Sequence, residues 1–510
     1  MSIAPDVKVG DRFFVAIASW LLRPLSDLAC IIGWIGSSIV FLGFTALVGG
    51  PTEGDAAVSV YSTWAIAHGR FACAYPSATT FHFPAIADPY TYVAPLYPLL
   101  SGAVASLARI GHAVPFPTPY QMGPNCSRAL VAMFNWSGHS SAILPTVRIG
   151  YLCWLPLMIG TIALLRSAGR GKCGWEIASL FLLALLPPVM ECLTNYFHPQ
   201  DLVAMAFVLL ALAGVLRGRW LVVGIFVGLA ILTNQFALLV AVPLLALVPS
   251  SQRVRYALGA IGSFAIIALP MIFVTSGRVT HAVFIGSGFS RARGGTVLWE
   301  LHLTGAPGFV VERVVPIVLA TSLAWWAKRR LGDAALEPVP LISLLATALA
   351  LRLVFEVSLW AYYFMAASVL LVLLEVIRGR IRGIVVGWLA LMTLAFDPFP
   401  PGFFSNGVSW GTKAREVLPD YFIAVAVIAF LIGLVRHRVR WSIVAWIAVV
   451  VATLLTPPWS HQAIRSGMPL WFWQVVLTVS LLWLIVEPLN RLIRGQPSQV
   501  SSEDDAVRFG

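Results

Sequence analysis

Charged side chains are scarce in this sequence: Asp, Glu, Lys and Arg make up 11% of its 510 residues, against about 25% in an ordinary soluble domain. Hydrophobic residues account for 59%, and the mean hydropathy is +0.85. No water-soluble body buries that much apolar surface, so lipid must be part of the solvent and helices must satisfy the backbone polar groups. A cytosolic enzyme is excluded. Lysine is confined to Lys8, Lys172, Lys328 and Lys413, and no G-x-x-x-x-G-K-[ST] run occurs, which argues against ATP-driven transport by this chain alone. A nucleotide-binding glycine loop and a zinc-ligand signature are missing too.

What the sequence has instead is a series of apolar runs of roughly 20 residues, the length that spans a bilayer as a helix. The first, 28–49, is too long for a signal-peptide core and reads as an uncleaved span. The net charge of +12 comes largely from short basic clusters between runs: Arg166/Arg170/Lys172, Arg217/Arg219, Arg253/Arg255, Lys328/Arg329/Arg330, Arg378/Arg380/Arg382, Arg436/Arg438/Arg440 and Arg491/Arg494. Such clusters mark cytoplasmic loops and not a nucleic-acid surface, and all of them agree on one orientation in the cell membrane. The expected fold is therefore an all-α polytopic membrane protein of about 14 transmembrane helices with both termini cytoplasmic.

Residues 1–27 are the expected cytoplasmic N-terminus, 28–490 the transmembrane domain, and 491–510 a polar cytoplasmic tail without structure. The first outer loop, 50–145, is long. Within it, 93–110 reads as a helix at the outer face, while 220–249 reads as two short spans or as a broken, re-entrant pair. Inner loops are only a few residues each and offer no place for a nucleotide-sugar donor. Chemistry is expected on the outer side.

Several candidate residues lie there. Asp55 follows the helix-breaking Gly49, Gly50, Pro51 and Gly54, and a plain N-cap is its structural alternative. Asp88, with His82 before it, is a second loop carboxylate suited to substrate binding or base chemistry. In YFHPQD, Pro199 can start a helix, so that His198, Gln200 and Asp201 face an outer cavity and meet sugar hydroxyls, or else cap that helix. Two possible ligands are too few for zinc, and no cofactor is expected, while the sequence leaves a divalent metal open. Arg352 and Glu356, spaced i and i+4, read as an ion pair near lipid. Trp299, Trp360, Tyr362 and Tyr363 suit stacking on a pyranose or, more simply, an interfacial aromatic belt. Cys73 and Cys126 share the long outer loop, where an oxidising exterior permits pairing, whereas Cys30, Cys153 and Cys192 read as small apolar residues and Cys173 as cytoplasmic.

The acidic residue just after the first span, the aromatic helix Ala56 to His68, the segment DPYTYVAPLYPLLSG (Asp88 to Gly102) and the stretch Asn195 to Leu245 resemble the GT-C membrane glycosyltransferases. The likeness covers roughly the first half of the chain and leans toward the polyprenyl-phosphate-mannose-dependent mannosyltransferases. It departs from their pattern at Tyr92–Pro95 and at Thr233–Gln235. The resemblance implies a GT-C-like bundle and transfer of a sugar from a polyprenyl-phosphate carrier to a lipid or cell-envelope glycan. It also implies Asp55 as general base. Arginines suit the departing phosphate because their fork binds its oxygens in pairs, and Arg278, Arg291 and Arg293 are the candidates; contact with anionic membrane lipids is their alternative. Nucleic acid is not an expected partner. A flippase of a lipid-linked saccharide and a non-catalytic envelope subunit are the rival readings, although the charges sit at outer helix ends instead of the midplane a transporter uses.

Overall fold

In a computed structural model, the structure describes residues 27–48, 54–74, 94–110, 148–194, 197–280, 296–303, 305–356, 359–379, 382, 384–385, 387–389, 392 and 470–493. Among the described residues the regular structure is helical, with no strand. The principal helices are α1 (Asp27–Val48), α2 (Gly54–Ala67), α3 (Leu96–Ile110), α4 (Trp154–Ser167), α5 (Cys173–Ala184), α6 (Pro187–Glu191) and α7 (Pro199–Leu216). They continue with α8 (Trp220–Ile231), α9 (Leu238–Leu247), α10 (Arg253–Val274), α11 (Gly305–Leu331), α12 (Pro338–Val354), α13 (Met365–Ile377) and α14 (Leu470–Ile493).

Five described helical stretches are long and apolar enough to cross a membrane: Arg148–Ser167, Pro199–Leu216, Ser250–Val274, Val310–Leu336 and Trp471–Asn490. The protein is thus a helical membrane protein. The apolar runs 420–435 and 441–456, which the sequence also offers as spans, lie outside the described residues. The apolar run 175–193 is long enough to read as one span but is divided between α5 and α6, because Pro187 and Pro188 start a new helix at their first two positions. Likewise 358–377 opens with the short turn Ala361–Phe364 before α13.

The stretch 220–249 resolves into α8 and α9, of 12 and 10 residues. At 1.5 Å per residue these rise only about 18 Å and about 15 Å, short of a hydrocarbon core of about 30 Å. Neither crosses alone, and neither needs to: α8 packs between α7 and α10, and α9 against α11 and α12, so their backbone ends are covered by protein.

Lipid gives helices no hydrophobic reason to associate, so close packing has to come from small residues. The α8–α10 contact does this. A Cβ added at Gly224 would run into the Tyr256 carbonyl and Gly259, and one at Gly259 into the Leu221 carbonyl and Gly224. The two glycines let the backbones touch. α10 otherwise turns Val254, Leu258, Ile261, Ile266, Leu269 and Phe273 outward, as a lipid-facing helix does.

Polar contacts gather where helix ends meet. At one end Lys328, in the last turn of α11, donates to the carbonyls of Ala246, Leu247 and Val248 at 3.3, 2.7 and 2.8 Å, closing the C-terminus of α9. Arg170 donates to the Ile377 carbonyl at 2.9 Å, and Arg166 pairs with the buried Glu176 at 2.7 Å. Arg382 bridges Glu375 of α13 to Glu487 of α14 and donates to the Leu484 carbonyl at 2.7 Å. Each basic cluster in these contacts meets the same end of the bundle.

Gly259→Leu is expected to force α8 and α10 apart and destabilise the fold by about 1–3 kcal/mol. Thermal unfolding of purified protein in detergent reads this as a lowered midpoint; an unchanged midpoint would show that the glycine contact does not hold the pair.

Candidate functional site

The opposite ends of α7, α8, α11, α12 and α14 carry a second buried polar cluster among the described residues, and it includes three expected site residues. His198, Gln200 and Asp201 are 5%, 1% and 4% exposed, so they face the protein interior and not lipid or water. Pro199 starts α7, its missing N–H costing nothing at the first helical position. Before it, Phe197 holds a φ of 51°, a left-handed conformation costly for a bulky residue. That bend lets the His198 N–H reach back to the Cys192 carbonyl at 2.6 Å and turns the chain into α7.

Helix capping does not account for these side chains. His198 makes no side-chain cap bond. Its ring stacks on Tyr362, centroids 4.1 Å apart and planes at 16°, and its Nδ1 lies 2.9 Å from Gln200 Nε2. Asp201 Oδ1 accepts a hydrogen bond from Asn234 Nδ2, in the turn between α8 and α9. The other end of that amide is fixed as well, since Asn234 Oδ1 accepts from the Phe236 N–H at 3.1 Å. Asn234 therefore presents only its donor face to the carboxylate. Gln200 Oε1 is buried with no hydrogen-bond partner, an acceptor suited to a hydroxyl or amide donor.

Across from Asp201 lies Arg352, and the two line one narrow pocket with Phe236, Leu349, Tyr362, Tyr363, Met365 and Ala366. The expected Arg352–Glu356 ion pair is present, with Glu356 1% exposed. Arg352 also lies over the Tyr363 ring, 4.9 Å from its centroid, and Tyr363 meets Tyr362 edge-on at 4.7 Å. Tyr362 is thus a buried wall of the site, which corrects its reading as an interfacial belt residue; Trp299 stays 41% exposed, as a belt residue would.

Two further residues, neither among the expected site residues, complete the cluster. Glu312, near the start of α11, is 4% exposed, pairs with Arg313 at 3.4 Å and feels the charges of both Glu356 and Arg352. Gln474 of α14 donates to the carbonyls of Leu353 at 2.8 Å and Glu356 at 3.2 Å, while its Oε1 accepts from the Val297 N–H at 3.0 Å. It ties the end of α12 to the short helix Val297–Glu300. A polar residue spaced to face inward from an apolar helix is the only sequence signal for either.

Asp55 lies in the first turn of α2, where the sequence places a new helix. α2 packs on α3 through the Thr63–Ser101 hydroxyl contact of 2.7 Å, and α3 in turn joins the site's end of the bundle, since the Leu96 N–H donates to the Leu232 carbonyl at 3.0 Å. Arg278 opens the short helix Arg278–Thr280 after α10. Asp88, Arg291 and Arg293 lie outside the described residues. Among the described residues no group of three or more His, Cys, Asp and Glu side chains converges as metal ligands would.

Breaking a buried ion pair leaves its partner charge unsatisfied, at a cost of about 3–5 kcal/mol. Arg352→Met and Glu356→Met are each expected to destabilise the protein by that order, and the double variant by clearly less than the sum. A thermal or denaturant double-mutant cycle checks this, and strict additivity would contradict a direct pair. Compared with family models, curated proteins and solved structures, the chain matches none of them.

Proposed function

We propose that this protein is an inverting membrane glycosyltransferase that moves a sugar, mannose or another hexose or pentose, from a polyprenyl-phosphate carrier to a lipid or glycan acceptor. The reading takes the basic end of the bundle as cytoplasmic, in the manner of the positive-inside rule, with about 14 crossings in all. The site then opens at the extracytoplasmic face. One observation carries the proposal: Asp201 and Arg352 line one pocket beside the Tyr362–Tyr363 pair, with the unpartnered Gln200 acceptor close by in sequence at the start of α7. Carboxylate, amide and aromatic face are the groups that recognise a pyranose by its hydroxyls and its apolar side.

In this mechanism the acceptor hydroxyl attacks the anomeric carbon, the bond from that carbon to the carrier phosphate oxygen breaks, and polyprenyl phosphate leaves. The hydroxyl proton passes to the Asp55 carboxylate. Asp201, held by Asn234, orients the sugar, which makes the reacting atoms near neighbours before the chemical step. Within the described cluster the carboxylates of Asp201, Glu312 and Glu356 outnumber the guanidiniums of Arg313 and Arg352. An anionic phosphate needs more cation than that, so Arg278, Arg291 and Arg293 are assigned to it, with Asp88 as a further contact to substrate. The same residues would serve a flippase less well, because moving a substrate across the bilayer calls for polar groups along the path and the described ones sit at the ends.

Membranes containing the wild-type protein are expected to incorporate labelled sugar from a polyprenyl-phosphate donor, and Asp55→Asn and Asp55→Ala to lower the rate by about 100-fold or more. Asp201→Asn is expected to lower it too, mainly by raising KM. Equal transfer by all variants would remove Asp55 and Asp201 from the mechanism. Purified protein that transfers no sugar yet moves lipid-linked saccharide across vesicles would replace the enzyme reading with the flippase one.

A further inference from the structure

Cys30, in the first turn of α1, and Cys173, the first residue of α5, are joined by a disulfide, with Cα atoms 5.5 Å apart. This corrects the reading of Cys30 as a plain apolar residue. The bond lies at the basic end, flanked by Lys172 and near the Arg166–Glu176 pair. Cys73 is also disulfide-bonded, and the partner expected for it, Cys126, lies outside the described residues. A lasting disulfide belongs to an oxidising compartment, whereas cytoplasmic thiols are kept reduced. On the orientation proposed above, Cys30 and Cys173 face the reducing side.

We propose that Cys30 and Cys173 form a redox latch: a dithiol in the resting cell that closes to the observed bond under oxidation. The inference rests on the proposed orientation. Both side chains are half-buried, so a small reagent can reach them. Cys173 stands at a helix N-terminus beside a lysine, a setting that favours thiolate chemistry. Closure needs an oxidant, here a small disulfide such as oxidised glutathione. The Cys173 thiolate attacks one of its sulfurs and releases a thiolate; the Cys30 thiol, losing its proton, then attacks the mixed disulfide and releases the second. Two protein thiols are oxidised as one small disulfide is reduced to two thiols.

The latch acts on α1. That helix turns Ile31, Ile32, Ile35 and Ile39 outward, and lipid does nothing to hold such a face against the bundle. Its middle is held by Phe41 stacked on Trp154 at 4.4 Å and by Ser38 accepting from Trp154 Nε1 at 3.0 Å. Near its start, apart from the disulfide, α1 presses Gly33 close to Ile177 of α5. In chain order α1 comes just before α2, the helix that carries Asp55, so opening or closing the bond changes how firmly the start of the proposed site is anchored.

Thiol counting on the full-length protein tests this. Cells are quenched in acid, the protein is denatured, and free cysteines are tagged with a maleimide polymer. Wild type is expected to lose two tags when inverted membrane vesicles are treated with oxidised glutathione and to regain them with dithiothreitol; Cys30→Ser, stopping at the mixed disulfide on Cys173, is expected to lose one, and Cys173→Ser none. An impermeant maleimide should label Cys173 in inverted vesicles and not in intact cells. Labelling from outside would overturn the orientation and the latch together. Labelling from inside without loss of tags, or a bond already closed in resting cells, would overturn the latch alone.

Discussion

The Arg352–Glu356 ion pair is the interaction on which the polar end of the bundle depends. A guanidinium and a carboxylate this far from water are tolerable only while each answers the other, and removing either leaves a charge whose desolvation has no return. Their neighbours extend the same requirement. Tyr363 offers Arg352 its ring, Glu312 brings a further carboxylate, and Gln474 takes up the carbonyls that the end of α12 would leave without partners. The result is a fixed wall opposite Asp201, assembled from α11, α12 and α14 and from the turn Ala361–Phe364.

The rest of the molecule makes that wall possible by keeping polarity out of the middle. α7 is buried along most of its length by α4 and α8, and α13 is buried almost throughout. Polar side chains inside the buried helices return hydrogen bonds to their own backbone, as Ser179 of α5, Thr347 of α12 and Ser368 of α13 do. The bundle therefore has two polar ends of different character. One is basic and binds helix C-terminal carbonyls and acidic partners, which anchors the helices. The other is richer in carboxylates and aromatic rings and holds an unsatisfied acceptor at Gln200, which suits recognition.

Much of the candidate site was legible in the sequence wherever chemistry and spacing coincide. The i, i+4 spacing of Arg352 and Glu356 put the two on one helix face, and Pro199 in YFHPQD announced a helix start that brings His198, Gln200 and Asp201 together. Tyr362 could not be told from a belt residue, because an aromatic near a helix end looks the same whether it meets lipid or stacks on a histidine far away in the chain. Asn234 gave no sign of holding Asp201, since the two meet only when α8 folds back along α7.

What the sequence determined by itself is the solvent and the class of fold: few charges, long apolar runs and basic punctuation allow helices in a membrane and little else. It also settled which chemical groups the protein has to work with. Only the tertiary structure decided which of them touch, that Cys30 lies against Cys173, that Asp201 is held by Asn234 and that Arg352 faces the same pocket. The physical reason is that hydropathy is local and can be summed along the chain, whereas the pairing of buried polar groups depends on which helix ends meet, and helices of equal hydropathy give no instruction about that.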